Sequence, residues 1–227
     1  MNRIKIFNDD FRNVIKEIEE DYIIVTDPPY NIGYQYNDYK DDLTDFEYIN
    51  MISEFRGMKI AIIHYPEETM KYFVNALGVP DEVNTWCYNS NLPNRQHRLI
   101  NYYNLKPDYK KVLQPFKNPN DKRIKERMER GIKGARSYDW FSDIQLVKNV
   151  SKKTFNHPCP VPVELMERII KLTTNENDLI FDPFCGSGTT AIACMNTNRR
   201  FIGSEIDKLY YDMSINRINK GDNKWNY

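Results

Sequence analysis

Apolar and polar positions along the chain follow two periods. Short, nearly continuous apolar runs at 22–26 (YIIVT), 59–65 (KIAIIHY), 82–88 (EVNTWCY), 178–182 (DLIFD) and 200–206 (RFIGSEI) predict strands buried on both faces. Between them, apolar residues spaced three or four apart predict helices at 11–20, 46–55, 66–77, 162–173, 189–196 and 208–219, two of which open on Pro66 and Pro162. Strands alternating with helices in this way predict an α/β fold: a doubly wound, mostly parallel, Rossmann-like sheet. The rhythm breaks between about residues 90 and 149. That stretch is polar and rich in Pro and Asn, with one charged helix at 121–131 ended by Gly131. The chain therefore divides into a first half of the sheet domain (1–89), an insert (90–149) and a second half (150–227), without internal repeats.

Composition narrows the picture. A chain of 227 residues with 41% hydrophobic content can build one medium-sized core. No apolar run approaches the ~18 residues of a membrane helix, and the opening MNRIKIFNDD lacks a signal-peptide apolar stretch. Cys87, Cys159, Cys185 and Cys194 form no C-x-x-C pair, which fits a reducing cytoplasm and gives neither a disulfide framework nor a zinc site. The formal net charge is zero, yet residues 90–136 hold thirteen Lys or Arg against four acids. That local excess of nine positive charges is balanced elsewhere. Interleaved with Tyr102, Tyr103, Tyr109, Phe116 and nearby Trp140, it suits phosphate contact plus base stacking.

The run DPPYNIGY begins at Asp27, where the strand at 22–26 ends. Proline fixes its own φ and keeps the preceding residue extended. Asp27, Pro28, Pro29 and Tyr30 thus form a rigid row of acceptors beside a flat ring, suited to a planar group that donates hydrogen bonds. A second motif, LIFDPFCGSGTTAIA, reads strand, glycine turn, helix: Gly186, Gly188 and Ala191 fit G-x-G-x-x-A, and Glu205 follows at the end of the next strand. Asp182 ends the strand before the turn. Its carboxylate repels a pyrophosphate and attracts an ammonium or sulfonium, while Glu205 can accept both hydroxyls of a ribose. S-adenosylmethionine satisfies these demands better than NAD, and no Gly-Lys-Ser/Thr follows the glycines to make a P-loop.

With DPPY and DPFCGSGTT in this order, the chain resembles the DNA amino-methyltransferases, which methylate exocyclic amines of adenine or cytosine, in the beta arrangement: catalytic motif, target-recognition region, cofactor motif. HPCPVPVEL (157–165) resembles the segment preceding the cofactor strand, with Val161 where many members carry lysine. IFNDDF resembles the short G-D segment, with Asn8 in place of glycine. The resemblance covers both flanks and leaves the basic middle unmatched. It implies S-adenosylmethionine as cofactor, bound by Asp9, Asp182, Phe184, Cys185, Gly186, Ser187, Gly188, Thr189, Glu205 and Ile206. Catalysis falls to Asp27, Pro28, Pro29 and Tyr30, and no metal is needed. It further implies double-stranded DNA with a flipped target base as substrate, and a restriction-modification setting with a cognate restriction enzyme as partner. A recognition region this small fits a short target or a second subunit, as in a homodimer. Asp27 favours adenine N6 over cytosine N4, whose enzymes more often carry serine there. Two readings of other classes compete: a nicotinamide-dependent oxidoreductase, which leaves the diprolyl motif unexplained, and a catalytically silent nucleic-acid-binding protein, which leaves Asp27 and Asp182 without a task. His157 reads as a capping or core residue and Cys185 as packing beside the cofactor. Tyr34, Tyr36 and Tyr39 either line the target cleft or cap a loop.

Overall fold

The computed structural model describes residues 3–31, 33, 41–147 and 161–220. Tyr34, Tyr36, Tyr39, His157 and Cys159 lie outside the described residues, as do 1–2 and 221–227. Eight strands form the main sheet, in the order β1 (Ile4–Phe7), β10 (Arg200–Ser204), β9 (Leu179–Asp182), β2 (Tyr22–Thr26), β3 (Ile60–His64), β5 (His97–Tyr103), β4 (Glu82–Cys87) and β8 (Trp140–Phe141). The first five run parallel. β5 is antiparallel to both β3 and β4, so β4 points the same way as β3. A two-stranded ladder, β6 (Leu113–Gln114) with β7 (Ala135–Arg136), stands apart. The predicted doubly wound α/β sheet is thus the observed fold.

Each strand feeds both faces because successive side chains alternate. On one face Val25, Ile180, Ile63 and Trp86 meet Leu165, Met166, Ile169 and Ile192 of α6 (Val163–Thr173) and α7 (Thr189–Asn196). On the other, Ile24, Ile62 and Phe181 meet Phe11 of α1 (Phe11–Val14), Tyr48 and Ile52 of α2 (Asp45–Ser53), and Phe73. α2 begins at a capping box: the Thr44 hydroxyl accepts from Glu47 N, and the Glu47 carboxylate accepts from Thr44 N. α8 (Lys208–Lys220) follows β10 and lays Tyr211, Ile215 and Ile218 on the first face.

Several elements differ from expectation, and β1, β6, β7 and β8 answer to none of the predicted strands. Residues 11–20, expected as one helix, form α1 followed by a single 3₁₀ turn, Ile15–Glu17. Residues 66–77 contain a π turn, Thr69–Phe73, between α3 (Pro66–Glu68) and α4 (Val74–Leu77). There the buried Asn101 Nδ2 donates to Thr69 Oγ1 at 3.2 Å. Within the basic stretch 90–149, His97–Tyr103 forms β5, a strand in the body of the sheet between β3 and β4. Its buried Arg98 and Asn101 interrupt the apolar pattern that would announce an interior strand.

β10 can pass close beneath the glycine turn because Gly203 has no side chain. A Cβ there would lie 2.7 Å from the buried Phe201 ring and 3.0 Å from Cys185 Sγ. Gly203→Ala is expected to destabilise the protein by about 1–3 kcal/mol through overpacking, read as a lower midpoint in urea unfolding at unchanged slope.

Candidate active site

Between β9 and β2 the winding of the sheet reverses: the chain leaves β2 toward β3 and leaves β9 toward β10. A crevice opens at such a switch point beyond the carboxyl ends of the strands. The two sequence motifs end these two neighbouring strands, so Asp27 and Asp182 meet although 155 positions separate them.

Asp182 is 2% exposed. Its Oδ1 accepts from Thr26 Oγ1 at 2.6 Å and from Phe184 N at 3.1 Å, and its Oδ2 from Thr190 Oγ1 at 2.6 Å. Burial pushes its pKa up to about 6 against the pull of these donors. Three of its roughly four lone-pair positions are filled from inside the protein. Asp182 is therefore a buried anchor that joins β2, β9 and α7 and gives the crevice negative potential, rather than an acid standing in the open.

The glycine turn is braced from behind. Gly188 has φ +80° and caps α7. A Cβ there would approach Ser214 Cβ of α8 to 3.0 Å. From α8 the buried Arg217 donates through Nη1 to Ser187 O at 3.2 Å and Thr189 Oγ1 at 3.1 Å. Glu205 closes the far side. Its Oε2 accepts from Gly186 N at 2.7 Å and its Oε1 from Asp207 N at 2.9 Å; burial raises its pKa to about 7. Asn8 Nδ2 donates to the carbonyls of Glu205 (2.9 Å) and Ile206 (3.2 Å), and Ser204 Oγ donates to Asp9 O at 2.6 Å. The segment at Asn8–Asp9 is thereby fixed beside Glu205, and the Ile206 side chain is exposed there. The Asp9 carboxylate itself accepts from Asp10 N and Asn13 Nδ2. Phe184 turns to the helical face and packs edge-on against Phe11 and Phe55. The Cys185 thiol is buried and its pKa lies well above the ordinary value, first through burial, so it is a neutral packing group.

Across the crevice the diprolyl turn is held by Tyr48, whose hydroxyl donates to Pro29 O at 2.6 Å. Pro28 is buried. Asn31, at φ +54°, donates through Nδ2 to Leu43 O, and its N–H goes to Asp41 Oδ1. The Asp27 carboxylate is 17% exposed. Tyr30 OH donates to its Oδ1 at 2.6 Å, and Arg98 Nη1 stands 3.8 Å from its Oδ2. Its pKa rises to about 6: burial and, less strongly, the Asp182 charge outweigh Arg98 and the Tyr30 hydroxyl. The Tyr30 ring rests 4.6 Å from the buried His64 ring.

Asp27, Tyr30, Asp182, the glycine turn and Glu205 therefore come together at the carboxyl ends of β10, β9 and β2, whereas the Phe184 ring, the Cys185 thiol and the Asp9 carboxylate are turned to packing or to local hydrogen bonds. Thr26, Thr190, Arg98 and Arg217 were not expected there. The threonines sit inside or beside the quoted motifs, whereas nothing in the local sequence marks the two arginines as interior.

Farther along the sheet, α5 (Lys122–Glu129) buries none of its side chains and is capped by Asp121. Near it Lys117 Nζ lies 4.8 Å from the Tyr138 ring centroid and Arg127 5.2 Å from that of Phe116. Tyr138 and Trp140 are exposed with nearly parallel rings, 4° apart. Among the described residues no group of three His, Cys, Asp or Glu could hold a metal ion, and no helix is long and apolar enough to cross a membrane.

The family model for DNA methylases of the N6/N4 type matches residues 54–216. The type II methyltransferase M.BglII of Bacillus subtilis is 29% identical over 252 residues, covering 92% of this chain and 67% of its own length. M.HpaI of Haemophilus parainfluenzae is 28% identical over 236 residues, covering 90% and 70%. Among solved structures, the M1.HpyAVI–SAM complex superposes with TM-score 0.61 at 22% identity, over 95% of this chain and all of that one. The cytosine-N4-specific PvuII methyltransferase superposes at 0.65 and 17%, over 98% of each. Acidic strand ends meeting at the switch point, a braced glycine turn and a family match over most of the chain agree: this chain belongs to the N6/N4 DNA methylase family.

Proposed function

We propose that this DNA methyltransferase takes its methyl group from S-adenosylmethionine and transfers it to N6 of adenine. The observation that carries the reading is the placement of Asp27 across one crevice from Asp182 and Glu205. Asp182 is buried and Asp27 and Glu205 are half-buried, and their removal from water, first of all, raises the pKa values of Asp27, Asp182 and Glu205 to about 6, 6 and 7, so the crevice favours a cation. A ligand bearing an ammonium and a sulfonium supplies that charge. Each Glu205 oxygen accepts one backbone N–H and so keeps a lone pair for a ribose hydroxyl. The residues present fit the cofactor: the resemblance puts Asp9 toward its adenine and Glu205 at its ribose, and the turn from Cys185 to Thr189 would take the amino-acid end, while the Phe184 ring packs away on Phe11 and Phe55.

S-adenosylmethionine supplies an electrophilic methyl group. The chain's part is to make a poor nucleophile better. The adenine amine has its lone pair delocalised into the ring. Accepting both N–H bonds, at the Asp27 carboxylate and the Pro28 carbonyl, favours a pyramidal nitrogen with the lone pair turned toward the methyl donor. Tyr30 offers a face on which a flipped base stacks. The proton leaves after transfer, when the nitrogen is positive. Asp27 is a stronger acceptor than the serine common in the cytosine-N4 enzymes, which supports adenine. Tyr102 and Tyr103, expected among the stacking rings, are buried in β5; the exposed basic side chains beyond that strand, with Tyr138 and Trp140, are the part of the surface suited to phosphate contact and base stacking.

Three outcomes are expected. In a mass-spectrometric digest of treated DNA the product is N6-methyladenine, and Asp27→Ala loses transfer by ~10²-fold or more; N4-methylcytosine as the sole product would overturn the choice of base. Cofactor binding stabilises ionised carboxylates, so it lowers their raised pKa values and releases protons. Calorimetry in buffers of different ionisation enthalpy should show net release near pH 6.5, where these groups are partly protonated, fading by pH 8.5, where they are already ionised. Net release absent at pH 6.5 would remove the carboxylates from the cofactor site. Replacing Lys122, Arg123 and Lys125 together by alanine should make the slope of log K for DNA against log salt shallower by about 2–3, with cofactor affinity unchanged. An unchanged slope would mean that α5 faces only solvent.

A further inference from the structure

Arg98 is an unusual residue to find in the middle of a sheet. Its side chain is 1% exposed, and burying a guanidinium forfeits its hydration. Four aromatic rings surround it, with centroids 5.1 Å (Tyr30), 5.0 Å (Tyr65), 5.4 Å (Trp86) and 5.8 Å (Tyr88) from Cζ. Nη2 donates to Tyr65 OH at 3.4 Å. Ring faces are a fitting replacement for water around a planar, weakly hydrated cation, and less so around an ammonium. Out of this box Nη1 faces Asp27 Oδ2 at 3.8 Å, while Oδ1 is taken by Tyr30. The guanidinium is placed by strand backbone: Arg98 is in register with Trp86 of β4, and the next residue, Leu99, with His64 of β3. A charge carried by paired strands keeps its distance better than one carried by a loop.

We propose that Arg98 is a positioning residue for methyl transfer, holding the Asp27 carboxylate ionised and in one orientation from inside an aromatic box. This rests on the reading of Asp27 as the acceptor of the target amine. The groups facing Asp27 are Tyr30 from its own turn, Asp182 from β9 and Arg98 from β5. Among the described residues, Tyr30, Tyr65, Tyr88 and His64 face Arg98. His64 is neutral, because burial first, then Arg98 and Arg95, hold its pKa well below the ordinary value. Arg95 pairs with Glu68 at 3.3 Å and lies over Tyr65. Among the described residues, Arg98 is therefore the cation that opposes the protonation of Asp27.

The test is the pH dependence of single-turnover methyl transfer with cofactor and DNA saturating. Arg98→Met keeps length and removes charge. Its acid limb should move up by at least about one pH unit; with Asp27 titrating near about 6 in the unaltered enzyme, the loss is then about 5-fold or more larger at pH 6 than at pH 8.5. Arg98→Lys should recover part of that difference. Cofactor affinity and melting temperature serve as controls for the fold. A folded Arg98→Met whose loss is the same at both pH values overturns this inference alone. Full activity in Asp27→Ala overturns the acceptor reading beneath it. Should Arg98→Met not fold, carboxyl ¹³C titration of Asp27 in the unaltered protein decides: Asp27 is expected to be ionised at pH 7.5, and a midpoint above that value would show that Arg98 does not keep it charged.

Discussion

The site depends on one buried charge. Asp182 is held by two threonine hydroxyls and one backbone amide, drawn from β2, α7 and the start of the glycine turn. These bonds cross the line where the sheet changes its winding direction. They tie the half of the chain that carries the diprolyl turn to the half that carries the glycine turn. A carboxylate in this position is costly, since burial raises its pKa. Hydrogen bonds to a charged group offset part of that cost and are stronger than neutral ones. The remainder is negative potential left in the crevice, which a bound cation can use. Stability and function pull against each other at this residue, as is common where a site must be ready for a charged ligand.

Much of the architecture is legible in the sequence because the interior strands obey a simple rule. Runs such as IAIIH of β3 are buried at every position, and a run of that kind has little choice but the centre of a sheet. The two motifs are legible for a different reason: proline pairs and glycine turns fix backbone shape locally, whatever lies around them. β5 escapes both rules. HRLINYY carries an arginine and an asparagine inward, and their burial is tolerable only because aromatic rings and Thr69, distant in sequence, surround them. Arg217 is hidden likewise, since its partners Ser187 and Thr189 lie about thirty positions away. Phe184 shows the opposite effect: it sits inside a recognisable motif, yet its ring faces the helical layer.

The stretch after residue 90 serves two ends. β5 completes the sheet and brings Arg98 behind the diprolyl turn. Of the segments beyond it, β8 returns to the sheet with Phe141 in the core, whereas α5 has no buried side chain at all. Packing therefore restrains the composition of α5 little, and its surface is free to be set by charge. The same chain segment can vary on its outer side while its inner strand stays fixed by the rings around Arg98.

The hydrogen bond from Tyr30 to Asp27 bears on which bases can enter. Under the proposed reading, a base that arrives with an amino group can offer Asp27 a hydrogen bond in place of the phenol's. The carboxylate loses one donor and gains another, and the exchange is nearly even. Thymine presents a carbonyl where adenine presents its amine, and so does guanine at the equivalent ring position. Either would remove the tyrosine's donor and set a lone pair against a carboxylate oxygen. An unmet buried polar group costs about 1–3 kcal/mol, more when it is charged. The resting contact then acts as a toll on keto bases, levied before any methyl group moves.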